Sequence, residues 1–212
     1  FVDYAKNMGI DTWHDSSRFG LSLSLGGGEV TLLDLMQVFG AFANGGHRVE
    51  PTTIRSITDY RERTVEEIDP KQISVLDPGI AFIISDILSD NKARSLAFGP
   101  NNALNIPGYR VSAKTGTTND YKDAWTVGYT SDVVVGVWVG NNDNTPMREL
   151  PGSLGAGPIF NRMMTHLLKE YDMKGEVVTP SNIVSKPCYA GKMEYFIRGT
   201  EKNSYCYKTI LK

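Results

Sequence analysis

A lysine, two threonines and a glycine stand together in RVSAKTGTTNDYKDAW, residues 110–125. Lys114 offers a cation, Thr115 and Thr117 offer hydroxyls, and Gly116 offers backbone that no side chain screens. Residues of these types in a row could form one wall of a serine acyl-transfer site. The same residues could end an ordinary strand, since threonine favours strands, glycine allows a bulge and lysine snorkels at an edge. Lys-Thr-Gly alone does not choose between these readings, so the flanking elements must.

Other residues with chemical potential point nowhere as definite. Cys188 and Cys206 both lie in the last 25 residues, with no CxxC spacing and no histidine partner, which argues against zinc. They form either one disulfide in an oxidising compartment or two free thiols. His14, His47 and His166 show no HxxH or HExxH pattern, so no metal site and no cofactor is assigned. Gly26-Gly27-Gly28 before a helix has the look of a phosphate loop, but no Lys-Ser/Thr follows; a tight turn entering the helix accounts for it.

The whole chain narrows the classes further. Its 212 residues are 41% hydrophobic and 22% charged, ordinary for a globular protein able to bury a core. A formal net charge of −2, with lysine and arginine dispersed, leaves no basic stripe for nucleic acid. The apolar run VVVGVWVG at 133–140 is far short of the ~20 residues that a membrane helix needs. FVDYAKNMGI opens without methionine and reads as a helix already under way, with Phe1, Val2, Ala5 and Met8 along one side. The expectation is a longer chain, with any targeting segment ahead of Phe1.

Four helices and a sheet must position the candidate wall. After the opening helix, Thr31 and Asp34 resemble a capping box, and Leu32, Leu35, Met36, Phe39 and Ala43 form a stripe that Asn44-Gly45-Gly46 ends. Residues 52–68 alternate as an exposed hairpin turning near Asp59–Arg63. Asp77 caps a helix with Pro78 in its first turn, burying Ile80, Ile83, Ile84, Ile87 and Leu88 and closing at Asn91. YRVSAKTGTT, DAWTVGYT and VVVGVWVG then read as three strands in an antiparallel meander, with Ser131-Asp132 turning between the last two. Trp125, Tyr129 and Trp138 pack it. Gly157-Pro158 opens a helix to about Tyr171 with Ile159, Met163, Met164, Leu167 and Leu168 inward, and from Val177 the chain is an extended appendage.

SLGGGEVTLLDLMQVFGAFANGG, KTGTTNDYKDAWTVGYT and VVVGVWVGNND, in that order, resemble the C-terminal part of the transpeptidase domain of class A penicillin-binding proteins. The resemblance covers nearly the whole chain and implies an α+β fold, a five-stranded antiparallel sheet with helices on both faces. Three of the five strands are here; the other two come from residues before the nucleophile. It places 1–175 in the transpeptidase domain and 176–212 in the appendage. It also implies an acyl transferase: a serine attacks the D-Ala-D-Ala end of a peptidoglycan stem peptide, D-Ala leaves, and a neighbouring amine resolves the acyl-enzyme, while β-lactams trap that intermediate. Lys114 would supply positive potential, Thr115 and Thr117 would bind the substrate carboxylate, Gly116 would let the acyl chain lie against the strand, and the Thr117 N–H would donate to the oxyanion. Thr118 would touch substrate from the loop leaving the cleft, with Asn119 and Tyr121 beside it.

Two further motifs belong to the family, a Ser-x-x-Lys with nucleophile and base and a Ser-x-Asn with a proton relay. Ser89-Asp90-Asn91 spells the second, 23 residues before Lys114, but at the end of a helix, where it reads as a stop signal. The expectation is that this chain holds no Ser-x-x-Lys and that nucleophile, base and relay all lie upstream of Phe1, with a membrane anchor, leaving this chain as half a site on the outer side of the bacterial plasma membrane. There the two cysteines would pair. The competing readings are a non-catalytic module of the same fold that binds peptidoglycan or a scaffold partner, and a β-lactamase-like hydrolase, which the tail after 172 disfavours.

Overall fold

The computed structural model describes residues 1–148, 151–188, 191–203 and 206. Its centre is an antiparallel sheet of β5 (Ser112–Thr117), β6 (Asp123–Tyr129) and β7 (Val134–Gly140), in the order β5-β6-β7. Trp125 pairs with Gly116 on one side and Trp138 on the other. This is the expected meander, with the Lys114 strand at an edge; among the described residues no strand covers the outer side of β7.

Side chains alternate between the two faces of a strand, so the register sorts them. Ala113, Val135 and Val137 lie on the face covered by α5 (Ala156–Glu170), whose Phe160, Met164 and Leu168 are fully buried with Leu104, Ile106 and Val111. The expected stripe is therefore rotated. Ile159 and Met163 are 46% and 47% exposed, because the row that meets the sheet runs from Phe160 at intervals of four.

The opposite face meets α2 (Leu32–Ala43) and α3 (Pro78–Ser89). Phe39 of α2 packs edge-on to Tyr129 at 6.0 Å, and Ser85 of α3 bonds the Tyr129 hydroxyl at 2.8 Å. Thr31 accepts from the Asp34 N–H, and Asp77 accepts from the Gly79 and Ile80 N–H groups, so both expected caps form. In α3 the buried residues are Gly79, Ala81 and Phe82, while Ile80 and Ile87 face outward. That helix is apolar almost all round, so its sequence does not mark which side is covered.

Smaller elements complete the chain. In α1 (Val2–Met8), Ala5 and Met8 are buried but Phe1 is exposed. The short β1 (His47–Val49) pairs with β4 (Gln72–Ser74) around the hairpin of β2 (Ser56–Thr58) and β3 (Thr64–Glu67). A further helix, α4 (Asn91–Phe98), begins where α3 stops, and Asp90 caps it. The tail contains the hairpin of β8 (Ile183–Pro187) and β9 (Met193–Ile197). It docks on α3 through Tyr195 against Phe82, 5.0 Å between ring centres, and through Asn182 donating to Asp77. Cys188 and Cys206 form a disulfide, their Cα atoms 4.8 Å apart. Among the described residues, no helix is long and apolar enough to cross a membrane.

Candidate active site

Strand β5 presents Lys114–Thr117 on the open edge of the sheet, with Lys114 and Thr117 exposed and Thr115 and Gly116 half-buried. Backbone groups along an antiparallel strand alternate between partner side and outer side. The Thr118 N–H donates to Asp123 O at 3.1 Å, on the β6 side. One residue earlier, the Thr117 N–H therefore points outward. The Lys114 ammonium reaches the outer side too, donating to Thr115 O at 2.6 Å, and no carboxylate pairs with it among the described residues. An unneutralised cation thus stands beside an outward backbone donor.

The threonine hydroxyls are held differently. Thr117 Oγ1 accepts from the Gly152 N–H at 2.9 Å, which fills one lone pair and leaves its own hydrogen to be aimed elsewhere. Gly152 lies so close over the sheet that a Cβ there would be 2.3 Å from Gly116 O and 2.7 Å from Trp125 O. Its own carbonyl accepts from buried Thr126 at 3.2 Å. Thr118 is exposed, with its hydroxyl held by Asp123: it accepts from the Asp123 N–H and donates to Asp123 Oδ2, both at 2.8 Å. Asp123 Oδ1 accepts from Trp138 Nε1, also at 2.8 Å. Asp123 and Gly152 were not singled out from sequence; the signal for Gly152 is a glycine where no side chain fits.

Comparison with known proteins adds to this geometry. Residues 3–165 match the penicillin binding protein transpeptidase domain. The chain belongs to that family. It is 34% identical over 184 residues to penicillin-binding protein 1A of Neisseria lactamica, covering 84% of this chain and 22% of the relative. It therefore spans about a fifth of that relative's length. Penicillin-binding protein 1A of Haemophilus influenzae superposes with a TM-score of 0.73 at 22% identity, covering 94% of this chain and 36% of the other. PonA1 of Mycobacterium tuberculosis, solved with penicillin V, gives 0.68 at 19% identity over 84% of this chain and 51% of that one. The class A resemblance read from the three flanking runs agrees with these relatives.

Within this transpeptidase fold, Ser89–Asn91 does structural work. The Ser89 hydroxyl bonds Asp86 O and accepts from Arg110 Nε at 3.0 Å; Asp90 caps α4; the Asn91 amide donates to Pro100 O. Lys92 follows, so Ser89 and Lys92 do stand in Ser-x-x-Lys spacing, which corrects the expectation that the chain lacks this motif. The pair does not share a helix: α3 ends at Ser89, Asp90 is extended, and α4 restarts at Asn91, so the spacing that would stack two side chains on one face is broken. The neighbouring contact from Ser112 to Ser85 O lies at the far end of β5, five residues from Thr117, or about 17 Å along the strand. Burial pushes the Tyr129 phenol up, with Ser85 and Ser112 opposing through hydrogen bonds, and the group serves as a packed link between sheet and α3.

Proposed function

We propose that this chain forms one wall of the active site of a peptidoglycan D,D-transpeptidase. The observation that carries the reading is the unpaired Lys114 ammonium beside the outward Thr117 N–H on an open strand edge, where an extended peptide can lie alongside. In this reading Lys114, Thr115 and Thr117 receive the terminal carboxylate, and Gly116 leaves room for the acyl chain. Thr118 backs them from the turn. A serine from residues ahead of Phe1 attacks the penultimate D-Ala carbonyl while a neighbouring base takes its proton. The oxyanion is held at the Thr117 N–H, the amide C–N bond breaks, and D-Ala leaves with the proton. An amine of a second stem peptide then attacks the ester, forming the cross-link and returning the serine. β-Lactams enter the same site, as the penicillin V complex of the PonA1 relative supports.

Residues upstream in the same protein complete the site and anchor it on the outer face of the plasma membrane, with 1–175 as the transpeptidase part and 176–212 as a C-terminal appendage. The test is acylation by a fluorescent penicillin. The longer protein should label, with Lys114→Ala and Thr117→Val slowing acylation by roughly 10²- to 10³-fold in a folded protein. Residues 1–212 alone should not label. Label on Ser89 would overturn the half-site reading; a folded longer protein that never labels would instead support a non-catalytic module.

A further inference from the structure

We propose that Asp123 is a positioning residue of the acyl-transfer site, fixing the turn that leaves β5 so that the Thr117 N–H keeps its outward aim. The proposal rests on the transpeptidase reading above. The turn is strained: Asp120 and Tyr121, consecutive and neither a glycine, both sit in left-handed backbone, with φ 60° and 54°. Such a conformation persists where surrounding contacts over-determine it.

Asp123 supplies those contacts. It grips Thr118 by three hydrogen bonds: its carbonyl takes the Thr118 N–H, its own N–H reaches the Thr118 hydroxyl, and its Oδ2 accepts from that hydroxyl. The remaining oxygen, Oδ1, is held by Trp138 Nε1 on β7, so one carboxylate ties the outermost turn to the far strand of the sheet. Among the described ion pairs none involves Asp123, so this half-buried charge is engaged in geometry and not in neutralising a cation. Thr118 is the residue directly after Thr117. With its hydroxyl taken up by Asp123, Thr118 acts by fixing the peptide plane next to the proposed oxyanion donor. Gly152 holds Thr117 from the other face, so the rim is braced on both sides.

The test uses the full-length protein that carries this chain and a fluorescent penicillin, measuring separately the fraction that labels and the acylation rate constant of that fraction. Asp123→Ala and Thr118→Val should each slow the labelled fraction by about 10- to 10²-fold, the scale of a misplacement near 1 Å. The double variant should be no slower than the worse single one, because both remove the same contact. Thr118→Ser should restore most of the rate. A lower labelled fraction or melting temperature with an unchanged rate constant would overturn the proposal and leave Asp123 a structural staple. If Asp123→Ala does not fold, Thr118→Val, which removes one hydroxyl, decides alone. Lys114→Ala is measured in parallel: if it too leaves the rate unchanged, the transpeptidase reading fails, whereas a slow Lys114→Ala beside a normal Thr118→Val fails the positioning proposal only.

Discussion

Along its outer rim β5 carries Lys114 and Thr117, both exposed, while the outer rim of β7 belongs to a strand of valines, glycines and one tryptophan. Both strands end the same sheet among the described residues. One edge keeps a charge and spare donors facing outward, and the other is apolar on both faces and carries no charge of its own. An edge that is meant to stay open is marked by lysine, whereas an apolar edge is one that a further strand is meant to cover. The difference teaches that strand order alone does not tell two edges apart; the polarity of the rim does.

Hydrogen exchange should give the largest separation between the edges. The alternation that sends the Thr117 N–H outward on β5 sends those of Val134, Gly136 and Trp138 outward on β7. In residues 1–212 alone, both sets should exchange quickly. In the longer protein proposed above, the β7 set should slow by at least ~10³-fold, in line with a domain stability of 5 kcal/mol or more, while Thr115 and Thr117 stay fast. Equal behaviour at the two edges would dissolve the contrast.

Removing the tail staple probes neither edge and so serves as a control of real size. Cys188→Ser with Cys206→Ser should destabilise the β8–β9 hairpin by about 3 kcal/mol, judged from the length of loop the disulfide closes. It should leave acylation by penicillin unchanged, as the hairpin docks on α3 and not on β5. Gly152→Ala comes next. Its Cβ would meet backbone oxygens of both Gly116 and Trp125, and overpacking of this kind costs about 1–3 kcal/mol, visible as a lower melting temperature. The same variant should slow acylation, because the displaced segment carries the N–H that holds Thr117.

The smallest expected effect is one of pH. The Asn182 amide, the largest influence, outweighs the opposing effect of burial and, with smaller help from the Gly79 and Ile80 N–H groups, holds the Asp77 carboxyl below the usual aspartate value. A native value below the unfolded one means that the unfolded chain takes up the proton first. This contribution is therefore intact above about pH 4 and lost as pH falls through the native value. Asp77→Asn should flatten the acid limb of a stability profile and leave both sheet edges as they were.

The sheet was legible because each of its strands shows β-branched and aromatic residues between clear turns, and the caps at Thr31 and Asp77 because a side-chain oxygen before a helix has one main use. The buried faces of α3 and α5 were harder to read. Ile80, Ile87, Ile159 and Met163 are as apolar as the residues that face the core, so composition could not rank them. The break between α3 and α4 hid in Ser89–Asn91, where one cluster both ends a helix and caps the next. Asp123 was invisible as a brace because its partners, Thr118 and Trp138, are brought together only by the register of three strands.

The contact of the Lys114 ammonium with Thr115 O bears on how two copies could meet. A sheet with one open edge at each end can grow head to tail, β5 of one molecule on β7 of the next, a repeat that runs on as a filament unless its rotation closes a ring. With an outward carbonyl of β5 already occupied and a cation standing over it, that joint is disfavoured. In residues 1–212 alone, what is left is β7 against β7 about a two-fold axis, which uses up both apolar edges in a single step. Lys114 thereby works against a growing filament of residues 1–212, while the outward Thr117 N–H beside it stays open to a peptide that brings its own carboxylate.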